Sequence, residues 1–441
     1  MKILTISPPL LALLMLMLAN SNFGFSQERN YRRYETQNVH QRLLKEYPEM
    51  KERIQQIERF VSTYEANNSN GKITIPVVFH VFFQEGQDYP STEQIVSQLE
   101  TLNRDFNRDK SEYKHEADSR EGFDRKVAKL DIDFCFPKTD PDGNKIDQAI
   151  NYIQVKENLW QTTDKMKSRE TGGMSPWETK SYLNIYVVDL EAPASGYAQM
   201  PGGPEATDGI VIDFDFFGVS ETNNPAYNQG KTLTHLIGSY LGLYELWNSI
   251  DPCSDDYVDD TPIHNAPNNK FPGYEHISTC PNNEERYAVE MSMNFMDNTE
   301  DEALYMFTLG QKNRIRAMVS EGGPRHSLTQ TKVQCNNSNQ SANLQVLSQA
   351  NTDIEQGLHV FPNPVGSELN IVIKIPSLAS GNVLEIINSQ GQISYKAENF
   401  IIDELWQQKI NVNDWPTGIY IIRLSNKDTQ ISKQLIISRQ N

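Results

Sequence analysis

Hydrophobic and polar positions follow two rhythms along this chain. "ITIPVVFHVFF" (73–83) alternates and is rich in β-branched residues, which predicts a strand, and "LDIDFCF" (130–136) and "YLNIYVVDL" (182–190) read as strands too. "DGIVIDFDFFG" (208–218) reads as another strand or a covered loop. Between them, "TEQIVSQLETLNRDF" (92–106) sets Ile95, Leu99 and Leu102 on one helical face, with Thr92 placed as its N-cap. Strand alternating with helix predicts an α/β layer. A helix over 231–245, which Gly242 should end or bend, is followed by a loop-rich stretch and a closing helix at "LGQKNRIRAMV" (309–319).

The two ends differ from this middle. Residues 10–18, "LLALLMLML", follow Lys2 and precede a small-x-small site at Gly24-Phe25-Ser26, the form of an export signal. Residues 27–70 are polar and helical in pattern, with a break at Pro48 and an end at "NNSNGK". Residues 336–357 are poor in large apolar side chains and read as a linker. From 358 onward, short alternating strands at turn-like spacing predict a small all-β, immunoglobulin-like sandwich. The expected order is signal peptide 1–26, helical pro-segment 27–70, α/β domain 71–335, linker 336–357 and sandwich 358–441.

Charge and cysteines narrow the setting. A formal net charge of -18 argues against nucleic acid or an anionic membrane as partner, since both need a basic face. No later apolar stretch has the length of a membrane span. Four cysteines in an exported chain predict two disulfides. Cys253 and Cys280 bracket an acidic, proline-bearing loop that a bridge would pin, and Cys135 with Cys335 follows by elimination. No C-x-x-C pair offers a cysteine metal site.

The chemistry turns on "THLIGSYLGLYELW" (234–247). A zinc peptidase helix of the H-E-x-x-H type sets two imidazoles at i and i+4 on one face, with the glutamate as general base. The extended form adds a turning glycine and a third ligand three residues later. Here those positions read His235, Leu236, Ser239, Gly242 and Glu245. One ligand and the glycine remain. Leu236 has no lone pair to take a proton, Ser239 is a poor replacement for imidazole, and Glu245 is a carboxylate where a third histidine belongs. Two ligands do not make a zinc site, so no zinc is expected. "DDYVDDTP" (255–262) clusters Asp255, Asp256, Asp259 and Asp260, an oxygen-rich composition that suits calcium.

From "IPVVFHV" through "QLETLNRDFN", "GYAQMPGG", "DGIVID", "KTLTHLIGSYLGLYELW" and "MNFMDNTED" to "MFTLGQKNRIRAM", the chain resembles the pappalysin family of metzincin peptidases, in its cytophagalysin subgroup. The resemblance covers residues 71–335 and implies a two-lobed metalloprotease fold with the motif helix under a cleft. It also implies a Met-turn with Met296 beneath the site, and calcium near the acidic loop. Its departures extend beyond the helix. Asn298 stands where members carry a tyrosine that assists the transition state, and "RYET" (33–36) puts Tyr34 where the pro-segment's zinc-plugging cysteine belongs. "GYAQMPGG" is similar to the rim strand on which metzincins lay substrate, so Gly196, Tyr197, Ala198, Gln199 and Met200 are the expected peptide-binding residues. "FPNPVGSELNIVI", "LEIINSQGQ", "DWPTGIYIIRL" and "SKQLII" resemble the type IX secretion sorting domain, which implies export to the medium or the cell surface by that machinery. The expectation is a secreted pseudopeptidase that binds extended peptide or protein in the old cleft. The alternatives are an active zinc endopeptidase with an atypical site and a cell-surface adhesin using the fold as scaffold.

Overall fold

A computed structural model describes residues 31–64, 71–108, 122–335 (except 147, 157, 221–222, 248–252, 271–275 and 281–288) and, beyond them, 358–361, 365, 367–373, 382–388, 392–400, 406–426 and 430–437. The expected signal peptide and linker lie outside the described residues. The chain divides into two compact units, at Gln334 and Cys335.

In chain order the first unit contains α1 (Thr36–Glu46), α2 (Met50–Thr63), β1 (Ile73–Phe83), α3 (Thr92–Phe106), β2 (Ile132–Cys135), β3 (Ile150–Gln154) and β4 (Leu159–Trp160). It continues with β5 (Leu183–Leu190), β6 (Gly196–Ala198), β7 (Ile210–Asp213), α4 (Lys231–Tyr240) and α5 (Leu309–Val319). Its sheet runs β2-β1-β5-β7-β6, with β3 also on β1 and β4 also on β5. All pairings are parallel except that of β6, which lies antiparallel to β7 at the edge. Positions 75–82 of β1 are buried without a break, His80 included, so the strand does not alternate between a buried and an exposed face as its sequence suggests, because it is covered on both sides.

Local sequence sets the helix ends. Ser91, not Thr92, caps α3: its hydroxyl accepts from the Gln94 amide at 3.2 Å, while the Thr92 hydroxyl meets the Tyr152 phenol. Ser91 is the residue in extended conformation, and an N-cap needs that geometry. Thr308 and Gln311 form a capping box on α5. Helix α4 ends at Tyr240, short of the expected 245, because Gly242 takes φ +92° and closes the last turn. A Cβ at Gly242 would also lie 2.5 Å from Met318. Stretch 208–218 resolves into β7 and one short 3-10 turn, Phe214–Phe216.

The second unit forms two antiparallel sheets, one of four strands and one of three. Leu369 and Ile371 from one sheet share a core with Leu384, Ile422 and Leu435 from the other, so it is a small β-sandwich. Cys253 and Cys280 are bonded, with Cα atoms 5.4 Å apart, and Cys135 and Cys335 are also in disulfides. No helix among the described residues is long and apolar enough to cross a membrane.

Candidate functional site

Helix α4 is buried from end to end, and its N-terminal half is pinned to α3. The Lys231 ammonium meets the Asp105 carboxylate at 2.6 Å and the Thr234 hydroxyl donates to the same group at 2.8 Å. Beneath the helix, a Cβ at Gly238 would sit 2.5 Å from the Met296 sulfur, so the expected Met-turn lies against α4 and requires glycine there. The carbonyl one residue before Met296 then fixes His235. Nδ1 of His235 donates to the Phe295 carbonyl at 2.9 Å, which leaves Nε2 with the lone pair that a metal would use.

That lone pair has no taker. His235 Nε2 is buried without a hydrogen-bond partner, and the Tyr34 ring stacks on the imidazole with centroids 3.6 Å apart and planes 8° apart. Burial, with Arg32 nearby, lowers the His235 pKa to about 3, so the ring is neutral. Leu236 fills the general-base position and packs on the rim strand, its Cδ1 2.8 Å from where a Cβ on Gly196 would be. Ser239 and Glu245 are buried too. Burial, with Glu35 adding like charge, raises the Glu245 pKa to about 8, so it is a neutral acid at pH 7. A zinc ion needs three or four protein donors, and thiolate, imidazole and carboxylate are the ones it takes. One imidazole beneath a phenol ring, a serine, a leucine and a protonated acid do not fit it.

The cleft above α4 is filled by residues 32–36. Tyr34 pairs parallel with Gly196, the Glu35 amide donates to the Gly196 carbonyl at 3.0 Å, and the Ser195 amide donates to the Arg33 carbonyl at 2.9 Å. The Ala198 amide donates to the Thr36 hydroxyl at 3.1 Å. The expected peptide-binding strand therefore has its free edge taken by the chain itself. Tyr197, Gln199 and Met200 point elsewhere in use: the Tyr197 phenol donates to Asp164 at 3.0 Å, the Gln199 amide to the Pro204 carbonyl at 2.8 Å, and Met200 is buried.

Arg32 anchors this segment and was not singled out by the sequence. It is fully buried, bonding Asp301 at 2.6 Å, the Thr232 hydroxyl at 3.2 Å and the Thr299 carbonyl, with Tyr227 beneath its guanidinium at 4.8 Å. Asn298, at the Met-turn tyrosine position, donates from Nδ2 to the Arg32 carbonyl at 3.0 Å and accepts from Arg32 Nε at 3.3 Å. Only the fold brings Arg32 and Asp301 together, across 269 positions, so no local pattern could have shown the pair.

In the acidic loop, carboxylates accept hydrogen bonds from nearby amides and hydroxyls. Asp256 accepts from the Val258 amide and the Thr261 hydroxyl, Asp260 from the Thr308 hydroxyl and the Gly310 amide, and Asp255 from the Tyr257 amide. Asp259 does not join them in a shared centre: among the described residues no group of three or more His, Cys, Asp or Glu could hold a metal ion. The carboxylates serve as turn and cap acceptors, a use the composition cannot distinguish from ligation.

Comparison with known proteins agrees with this architecture. Residues 170–320 match the pregnancy-associated plasma protein-A peptidase family, and residues 359–438 match the secretion system C-terminal sorting domain. An extracellular metalloprotease of Arthroderma benhamiae is 32% identical over 177 residues, covering 38% of this chain and 62% of its own length. A point mutant of Tannerella forsythia promirolysin is 30% identical with a TM-score of 0.58, over 68% of this chain and 97% of that one. Mature mirolysin in complex with a cleaved peptide is 31% identical with a TM-score of 0.53, over 59% and 96%. This chain belongs to the pappalysin family of metallopeptidases, and it carries a type IX sorting domain that makes it a secreted or cell-surface protein.

Proposed function

We propose that this exported pappalysin relative is non-catalytic and that its cleft holds the chain's own extended, arginine-bearing segment, residues 32–36, without cutting it. The observation that carries this reading is the state of His235: its imidazole is buried with the Tyr34 ring stacked on its face and its Nε2 unpartnered, and no second imidazole stands on α4. A positioned general base contributes roughly 10²–10⁴-fold, and Leu236 cannot act as one. The binding half of the reading rests on residues 32–36, which pair with β6 through main-chain bonds and place an arginine against Asp301. Edge pairing of this kind needs no metal. Mature mirolysin, which shares the fold, has been solved with a cleaved peptide.

Incubating the purified protein with casein and with arginine-containing fluorogenic peptides, with zinc and with a chelator, tests the first half. No chelator-sensitive cleavage is expected. Turnover that zinc supports and a chelator abolishes would contradict the reading.

A further inference from the structure

We propose that residues 32–63 are a permanent component of the folded protein. If the chain is cut between α2 and β1, the segment stays as a tightly held second polypeptide that closes the cleft without help from any metal. This rests on the reading of the cleft as non-catalytic and adds what governs access to it.

Three kinds of contact hold the segment, and only one of them is in the cleft. There, the Arg32–Asp301 pair is fully buried on both sides. Departure of Arg32 would leave Asp301 facing the Gln229 and Lys231 amides with its strongest partner gone. Removing one member of a buried ion pair leaves the other charge uncompensated, which is strongly destabilising. Tyr34 adds its stack on His235, and the main chain adds the pairing to β6.

The second kind is shared core. Val39 and Leu43 of α1 and Met50 of α2 are buried in one cluster with Phe82, Tyr186 and Val188, on the face of the sheet that α4 does not cover. Taking the hairpin away would bare that face to water, and every large apolar side chain so exposed opposes its departure. The third kind is charge outside the cleft. Glu58 of α2 receives both guanidinium nitrogens of Arg314 at 2.6 and 2.9 Å, and Arg42 of α1 pairs with Asp164. Helix α2 also lies close over two glycines of the body. A Cβ at Gly322 would be 3.1 Å from Phe60, and one at Gly202 would be 3.4 Å from Ile54 and Ile57. A plug released by breaking one metal–ligand bond would not be built this way. Tyr34 offers no such bond to break, and the hairpin completes the core.

Insertion of a specific protease site between Asn67 and Asn68 of the full chain tests this. The chain is cut, then followed by gel filtration and native mass spectrometry at micromolar concentration, with and without chelator. Both pieces are expected to travel as one species, unaffected by chelator. In the same cut chain, Arg32→Ala with Tyr34→Ala is expected to speed release of the segment by at least about tenfold. Free elution of the segment from the cut but otherwise unaltered chain in native buffer would overturn the proposal, and equal retention of the double variant would overturn the part assigned to the cleft contacts. Release without zinc uptake or peptide cleavage would overturn this inference alone. Zinc uptake with cleavage would overturn the proposed function instead.

Discussion

The phenol ring of Tyr34 lies flat on the imidazole of His235, 3.6 Å away, so the one zinc-type ligand left on α4 is covered by a carbon face. The Tyr34 hydroxyl finds no hydrogen-bond partner in its buried position. The ring, not the hydroxyl, therefore supplies the stability. Tyr34→Phe is expected to leave denaturant stability unchanged or slightly raised, because a buried unsatisfied hydroxyl is removed. Tyr34→Ala is expected to cost about 3–5 kcal/mol through the cavity it leaves. Chemical denaturation of both variants checks the pair, and an equal loss in each would refute the assignment.

Arg32 and Asp301 define a second test. Asp301→Ala leaves a buried guanidinium uncompensated and is expected to lower stability by about 3–5 kcal/mol. Combining it with Arg32→Met should recover much of that loss, since neither charge then remains buried. A double-mutant cycle measures the coupling. Additive losses would mean that the pair does not interact as its 2.6 Å separation indicates.

Glu245 predicts a pH dependence of definite sign. Its folded pKa of about 8 lies above the ordinary 4.5, so the folded state binds the extra proton. Its contribution is fully present below pH 4.5 and is lost as the pH rises towards 8, with a slope of at most ~1.4 kcal/mol per pH unit. Asp256, raised to about 7 mainly by burial, tilts the profile the same way, so the comparison must be with a variant. Glu245→Gln is expected to flatten the profile between pH 5 and 8 and to be the more stable protein at pH 8. Stability curves by denaturant at a series of pH values decide this, and parallel curves would contradict it.

How much of this was legible in the sequence depends on how local each feature is. β1, α3 and α5 could be read from runs of apolar or periodic residues, and α4 from its spacing, because each signal sits within its own segment. The end of α4 was misplaced because Gly242 stops the helix two residues after Tyr240 rather than bending a longer one. The losses at Leu236, Ser239 and Glu245 were readable from the motif's spacing. Arg32 was not, since its meaning comes from Asp301 and Thr232, which are distant in sequence. In the acidic loop, Asp256 and Asp260 are acceptors for backbone and hydroxyl groups, and composition says nothing about where a carboxylate points.

Restoring the motif tests what blocks the site. Leu236→Glu with Ser239→His and Glu245→His rebuilds the motif on α4 and in the turn after it, but residues 32–36 still fill the cleft, with Tyr34 packed on His235. Zinc binding is therefore expected only when Tyr34→Gly is added. Calorimetric titration of the triple and quadruple variants checks the order. Equal zinc affinity in the two would show that the ring is no obstacle.

The most direct measurement is the metal content of the unaltered protein. After equilibration with zinc and removal of excess, mass spectrometry is expected to find the ion far below one per chain. A zinc ion bound at one per chain, with extended fine structure showing His235-type nitrogen in its shell, would contradict the account.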